Sequence, residues 1–396
     1  MYSFYIDDEI HDGVVVNTAL IGTMSEPSLN IAGRIVSSGQ VKSINVYNFI
    51  EKELLHVDTK ITVAKNLMQQ LALTDDLNPY RFEIKLSHAA IEDDLHFVIE
   101  AEIEMINGDV VIETIATGFI QPVTLPEKVV FVVGSPRSGT SALGKACRKS
   151  LKANAHGESH VVQGVNLLME AADKFFQQSV TASVKGNFVN SIPRTLMLAE
   201  QLNVLRRLYR LYYGQVVHLD KTPGIPMLEG LPLALIAWPN AKVIFCKRRG
   251  MENIQSRLTK FPKVKFEQHI KQWKQSFIIW RKSKQKINKM LKNNQWFIEV
   301  DQHHMANSPA LVADDVATLI NLHLPQRNIL LKQLASDDKP EQTSKVSYQC
   351  KHINDFGWSE AEVLQFRHIC SNEMKLQNYS FDEQYFLDKQ CVQESN

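Results

Sequence analysis

The sequence predicts an α/β protein. A parallel sheet flanked by helices is expected over residues 128–396, preceded by a smaller all-β, immunoglobulin-like sandwich over residues 1–121 and a linker at 122–127. Three observations predict this. Short alternating or apolar runs, separated by turn residues, fill the first 121 residues. From Lys128 onward, apolar strands alternate with long helical stretches, the pattern of a parallel sheet with helices on both faces. At the junction, the apolar run Val129–Val133 enters a glycine-bounded loop that opens a helix near Gly139 and Thr140.

The expected strands of the first part are Gly13–Ile21, Ser28–Val36, Gln40–Tyr47, Asp58–Val63, Tyr80–Ser87, Asp94–Ile106 and Asp109–Gln121. Ser38-Gly39 and Asn107-Gly108-Asp109 separate some of them, and the latter is an Asn-Gly hairpin signal. Seven short strands at this spacing point to an immunoglobulin-like sandwich. Leu67–Asp76 reads as a short helical crossing, and Pro122 and Pro126 mark the linker. Beyond it the expected strands are Val129–Val133, Gln215–Leu219, Lys242–Lys247 and Trp296–Val300.

Glu267–Asn293 reads as a long amphipathic helix with Ile270, Trp273, Phe277, Trp280, Ile287 and Leu291 on one face. The other face carries Lys271, Lys274, Arg281, Lys282, Lys284, Lys286, Lys289 and Lys292, either a solvated surface or a landing surface for an acidic substrate. The chain has no internal repeat and no low-complexity tract.

At 396 residues the chain can hold two domains and a sizeable core. Its 44 basic residues nearly balance its 43 acidic ones, so net charge gives no support for a nucleic acid or a membrane surface as partner. Five cysteines without paired spacing fit free thiols in a reducing compartment. The first residues have no basic region or apolar signal core, and no apolar stretch reaches membrane-spanning length. A cytoplasmic protein without a membrane span is expected. Oligomeric state is open, a homodimer being one option.

The loop after Val133 aims several backbone N–H groups and the positive end of a helix dipole at one spot, which suits a phosphate or similar anion. Gly134 and Gly139 keep the spacing of a nucleotide-binding P-loop, but Thr140 stands where that loop has its lysine. That lysine reaches the β- and γ-phosphates, so a loop without it suits a nucleotide with little charge beyond the α-position. Arg137 supplies a fixed cation instead.

Pro136-Arg137-Ser138-Gly139-Thr140-Ser141 resembles the 5′-phosphosulfate loop of the sulfotransferases that use 3′-phosphoadenosine 5′-phosphosulfate (PAPS). The likeness spans roughly residues 128–380 and is closest to the tyrosylprotein and bacterial carbohydrate-type branches, whose sheet is P-loop-like. It implies PAPS as donor and adenosine 3′,5′-bisphosphate (PAP) as product. Arg137, Ser138, Gly139, Thr140 and Ser141 would then bind the 5′-end. The family reads the 3′-phosphate with an arginine at a strand end and a serine eight positions later. Arg248 and Ser256 have that offset, whereas Arg249 would pair with Arg257. Gly250 replaces the family's usual proline turn.

His156-Gly157-Glu158-Ser159-His160 resembles the segment carrying the family's catalytic base. Glu158 is the expected base, with His156 and His160 as competitors. In Leu219-Asp220-Lys221-Thr222-Pro223, Lys221 would neutralise charge growing on the oxygen that leaves sulfur. Thr343-Ser344-Lys345-Val346 resembles a segment that closes over the donor, adding Ser344 and Lys345 to the binding set. No metal is expected: His303-His304 lacks partners at ligand spacing, and no aspartate ends the Val243–Phe245 strand. Cys147 and Cys246 fall in predicted core.

The expected reaction is in-line transfer of a sulfuryl group from PAPS to a hydroxyl, with Glu158, Lys221 and Arg137 catalytic. The expected acceptor is a carbohydrate, a glycolipid or a small hydroxylated molecule. Two alternatives remain: a P-loop kinase or NTPase with a degenerate loop, and a non-catalytic protein binding nucleotide or glycan.

Overall fold

The computed structural model describes residues 2–6, 10–11, 14–15, 22–23, 28–49, 51–64, 77–87, 95–121, 126–154, 157–181, 194–214, 216–291, 295–336 and 350–387. The expected helix at Leu67–Asp76, most of the expected linker, His156, Ser344 and Lys345 lie outside these residues.

Among the described residues, ten strands precede Lys128: β1 (Tyr2–Ile6), β2 (Ile10–His11), β3 (Val14–Val15), β4 (Gly22–Thr23), β5 (Ser28–Ser37), β6 (Gln40–Asn48), β7 (Val57–Val63), β8 (Asn78–Ser87), β9 (Leu95–Glu104) and β10 (Val110–Gln121). They form two four-stranded sheets, β1-β5-β8-β7 and β4-β10-β9-β6, and the small pair β2-β3. All pairings are antiparallel except β4 with β10. Six of the seven expected strands appear close to their expected bounds; of the seventh, Gly13–Ile21, only Val14 and Val15 are among the described residues, as β3, and β1, β2 and β4 were not anticipated.

β8 follows the two-residue period closely. Tyr80, Phe82, Ile84 and Leu86 are buried, while Arg81, Glu83 and Lys85 are exposed. The inward residues of β5, β6, β8, β9 and β10 share one apolar core. The Asn107-Gly108 turn joins β9 to β10, with Gly108 at φ 83°.

The second part runs β11 (Lys128–Gly134), α1 (Thr140–Leu151), α2 (Val161–Thr181), α3 (Arg194–Tyr213), β12 (Val217–Lys221), α4 (Ile225–Ala237) and β13 (Lys242–Lys247). It continues with α5 (Gly250–Lys260), α6 (Phe266–Met290), β14 (Phe297–Asp301), α7 (Gln302–Asn307), α8 (Pro309–Leu319), α9 (Leu324–Leu334) and α10 (Glu360–Leu376). The sheet order is β12-β11-β13-β14, with every neighbour parallel.

Alternation divides the helices between the two faces. Val129, Phe131 and Val133 point into a core shared with α2 to α6 and α10. Val130 and Val132 point into another shared with α1, α8 and α9. β11 is therefore apolar on both sides, as buried parallel strands are. Each of these five side chains is at most 1% exposed and contributes about 1.5–3 kcal/mol by burial.

β12 extends two residues beyond its expected end, because Asp220 and Lys221 continue the ladder beside Phe131 and Val132. In α6, Ile270, Trp273, Phe277, Trp280 and Ile287 are all buried. Part of its basic face is paired internally, Lys271 with Glu267, Arg281 with Glu373 and Lys284 with Glu299. No helix among the described residues is long and apolar enough to cross a membrane.

The chain leaves β11 for β12 on one side, then crosses to β13 on the other. The connections from β11 and β13 thus diverge, opening a crevice at the carboxyl ends of adjacent strands. In open α/β sheets that is where ligands bind.

Candidate active site

The loop between β11 and α1 lies over that crevice. It begins at Gly134, where φ is 143° and an added Cβ would stand 2.1 Å from the Cys246 carbonyl oxygen of β13. Only glycine permits this approach. The loop then passes through two more left-handed residues, Arg137 at φ 71° and Gly139 at φ 88°. Gly139 occupies the N-cap of α1 without any side-chain cap, so the helix's first N–H groups are left for an anion. The loop is clamped from α5 by the fully buried Asn253, whose Nδ2 donates to the Pro136 carbonyl (2.9 Å) and to Ser138 Oγ (3.0 Å). Asn253 was not picked out from the sequence, because its partners lie 117 and 115 positions away and no local pattern marks them.

On the β13 side, three residues from separate motifs meet. Arg137 Nε donates to Ser256 Oγ at 3.0 Å, and Arg248 Nη1 donates to the Arg137 carbonyl at 3.2 Å. The Trp273 indole donates to the Arg248 carbonyl (3.1 Å) and fixes that backbone. The Arg137 guanidinium therefore lies beside the serine expected to read a 3′-phosphate. Among the described residues, Arg248 Nε is buried with no hydrogen-bond partner, as is Gln302 Oε1 of α7, whose side chain packs against Gly139. A buried guanidinium N–H left without an acceptor is costly, and an anion at the crevice would satisfy it. The residues present thus fit an anionic nucleotide.

The neighbouring Arg249 is spent elsewhere. It is fully buried, pairs with Glu252 and donates to the carbonyls of Lys351, Ser380, Asp382 and Gln384. Arg257, also buried, donates to Ser135 Oγ, His269 Nδ1 and Gln272 Oε1. No carboxylate stands within ion-pair distance of it among the described residues, and burial pulls its pKa down to about 10. The β13 side of the loop is strongly cationic.

On the β12 side, Lys221 Nζ lies 3.2 Å from Glu158 Oε1, and His160 Nε2 lies 3.4 Å from Glu158 Oε2. The Lys221 stem packs on α1 at Gly144, where an added Cβ would come within 2.8 Å of Lys221 Cγ. Gly224, just past β12, donates its N–H to the Gly134 carbonyl at 2.8 Å, tying this side to the loop. Asp220, next to Lys221, is fully buried and accepts from Ser159, Thr222 and Tyr209. Asp220, Gly144 and Tyr209 were also missed by sequence reasoning.

Near His303, the Asp301 carboxylate accepts from the His303 N–H, Tyr379 and Tyr385. Burial raises its pKa. Among the described residues, no three His, Cys, Asp or Glu side chains are grouped to hold a metal ion.

The loop thus has a cationic clasp on one flank and a carboxylate–lysine pair on the other. A comparison with curated proteins gives no match. Among solved structures, sulfotransferase STF9 from Mycobacterium avium aligns at 10% identity and a TM-score of 0.40, covering 67% of this chain and 79% of that one. The sulfotransferase domain of the Synechococcus PCC 7002 olefin synthase aligns at 12% identity and a TM-score of 0.34, covering 63% and 96%. The model of the sulfotransferase family matches residues 129–326, half of the chain, from the first buried residue of β11 into α9 and across every flank of the loop. This chain belongs to the sulfotransferase family.

Proposed function

We propose that this protein transfers a sulfuryl group from PAPS to a hydroxyl, in first place that of a carbohydrate or glycolipid. The observation carrying the reading is the Glu158–Lys221 pair, 3.2 Å apart, on one flank of the loop while Arg248 and Ser256 stand on the other. PAPS, when bound, supplies the sulfuryl group and departs as PAP.

The N–H groups at the start of α1 and the Ser138, Thr140 and Ser141 side chains would hold the 5′-end. Arg248 and Ser256, with Arg137 against them, would hold the 3′-phosphate. Glu158 takes the acceptor's proton on Oε2, the oxygen that faces His160 and not Lys221. Lys221 stands at the strand end beside α1, where its ammonium opposes negative charge developing on the departing side.

The experiment is a titration with PAP and, separately, with ATP–Mg²⁺. The reading expects tight PAP binding and weak ATP binding. The reverse order would favour a kinase or NTPase, and PAP binding without any transfer would favour a binding protein. Arg248→Ala is expected to weaken PAP by about 2–5 kcal/mol while leaving AMP, which lacks the 3′-phosphate, nearly unaffected. Equal loss for both nucleotides would remove the 3′-phosphate role.

Gly144→Ala tests Lys221 without touching a polar group. In a helix interior this change gains about 1 kcal/mol of propensity. The new Cβ nevertheless displaces the Lys221 stem, and a shift of that order is expected to slow transfer by up to ~100-fold. An unchanged rate in a folded variant would remove Lys221 from the mechanism.

The division into residues 1–121, 122–127 and 128–396 is supported by separate cores. One draws its buried residues from 31–115, and the others begin at Val129. The sheet orders β1-β5-β8-β7 and β4-β10-β9-β6 support an immunoglobulin-like reading, if β1, β5, β6, β7, β8, β9 and β10 stand for strands A to G.

A further inference from the structure

We infer that Asp220 is a positioning residue: its buried carboxylate ties the turn at Gly157–His160 to the end of β12 and so sets Glu158 against Lys221. The inference rests on the reading of Glu158 as base. Asp220 and Lys221 are consecutive on β12, so their side chains leave opposite faces of the sheet. Lys221 goes to the α1 side, where its stem meets Gly144. Asp220 goes inward, fully buried, to Tyr209 of α3.

Every bond of the cluster joins the two segments or braces one of them. Ser159 Oγ donates to Asp220 Oδ2 at 2.5 Å, and Tyr209 donates to the same oxygen. Thr222 Oγ1 donates to Asp220 Oδ1 at 2.7 Å and accepts from the Ser159 N–H at 3.0 Å. Ser159 follows Glu158 and Thr222 follows Lys221. The Glu158–Lys221 contact is therefore flanked on both segments, one residue away, by bonds converging on one carboxylate.

Two features argue that this cluster serves placement. Asp220 is buried with no cation within ion-pair distance among the described residues, which costs stability that hydroxyl donors only offset. Tyr209 stays a donor, because burial and then the Asp220 charge hold its pKa well above the usual phenol value. The turn it restrains is strained: His160 sits at φ 55°, which a histidine keeps only where its surroundings impose it.

Ser159→Ala removes one tether and leaves Asp220 its bonds from Tyr209 and Thr222, so the fold has least to lose; Asp220→Asn is the harsher second variant. In Ser159→Ala, amide hydrogen exchange at residue 159 is expected to rise about tenfold. Sulfuryl transfer is expected to fall ~100-fold while affinity for PAP stays within about twofold. Ser159→Thr, which keeps the hydroxyl, restores both. Unchanged exchange in Ser159→Ala and Asp220→Asn alike overturns the inference, and so does a loss of PAP affinity as large as the loss of turnover. If the wild-type protein binds no PAP, the sulfuryl-transfer reading fails instead. The exchange measurement still decides whether Asp220 holds the turn.

Discussion

Glu158→Gln is expected to lower sulfuryl transfer about 10²–10⁴-fold, the usual worth of a general base, with PAP affinity unchanged. The amide keeps the shape of the carboxyl and can still accept from Lys221, which lies 3.2 Å from Oε1. What it loses is the ability to take a proton from the acceptor. His160 is the nearest substitute, with Nε2 3.4 Å from the other carboxylate oxygen. His160→Gln should therefore leave most of the rate in the wild-type background and remove the residual rate in the Glu158→Gln background. The check is initial rates with whichever acceptor supports wild-type transfer, run beside a calorimetric titration of PAP. A large loss in His160→Gln with Glu158→Gln near wild type would transfer the role to the imidazole.

Arg249→Met is expected to destabilise the fold by about 3–5 kcal/mol, since it leaves Glu252 as an uncompensated buried charge. Arg249 is fully buried, and its Nε bonds both Glu252 oxygens at 2.9 and 3.1 Å. Its Nη1 also donates to the carbonyls of Asp382 (2.7 Å), Gln384 (3.0 Å) and Ser380 (3.3 Å). The same substitution therefore loosens the segment after α10, whose remaining tie to residue 249 is the backbone N–H that donates to the Tyr385 hydroxyl at 2.8 Å. Urea denaturation gives the magnitude. Adding Glu252→Met should recover part of the loss, because a neutral pair is less costly than a lone charge. Arg248→Ala, one residue away, should barely move the denaturation midpoint. If it destabilises as much as Arg249→Met, the division of labour between the two arginines is wrong.

Much of the fold was legible because it is written in local periods. β8 alternates, β11 is a continuous apolar run between helices, and α6 repeats its aromatic residues at helical spacing. The loop was legible from Gly134 and Gly139, each needed for a backbone conformation other residues avoid. The end of β12 was not, because Asp220 and Lys221 look like the polar start of a turn until β11 pairs with them. Asn253 and Asp220 were missed for a related reason. Asn253 bonds a residue 117 positions away and Asp220 one 61 positions away, and no local pattern marks such partners.

What the residues alone determined is an inventory and its order. A lysine-free anion loop follows a buried strand, an arginine and a serine stand eight positions apart, and a glutamate and a lysine wait on separate segments. The tertiary structure decided which of these meet. Parallel pairing aligns the ends of β11, β12 and β13, and the reversal of strand order at β11 opens one crevice there. It sends Arg248 to the loop and its neighbour Arg249 into the core, because successive residues diverge and only one side offers Glu252 and four carbonyls. A side chain's chemistry is local, but the company it keeps is set by packing between segments far apart in the chain.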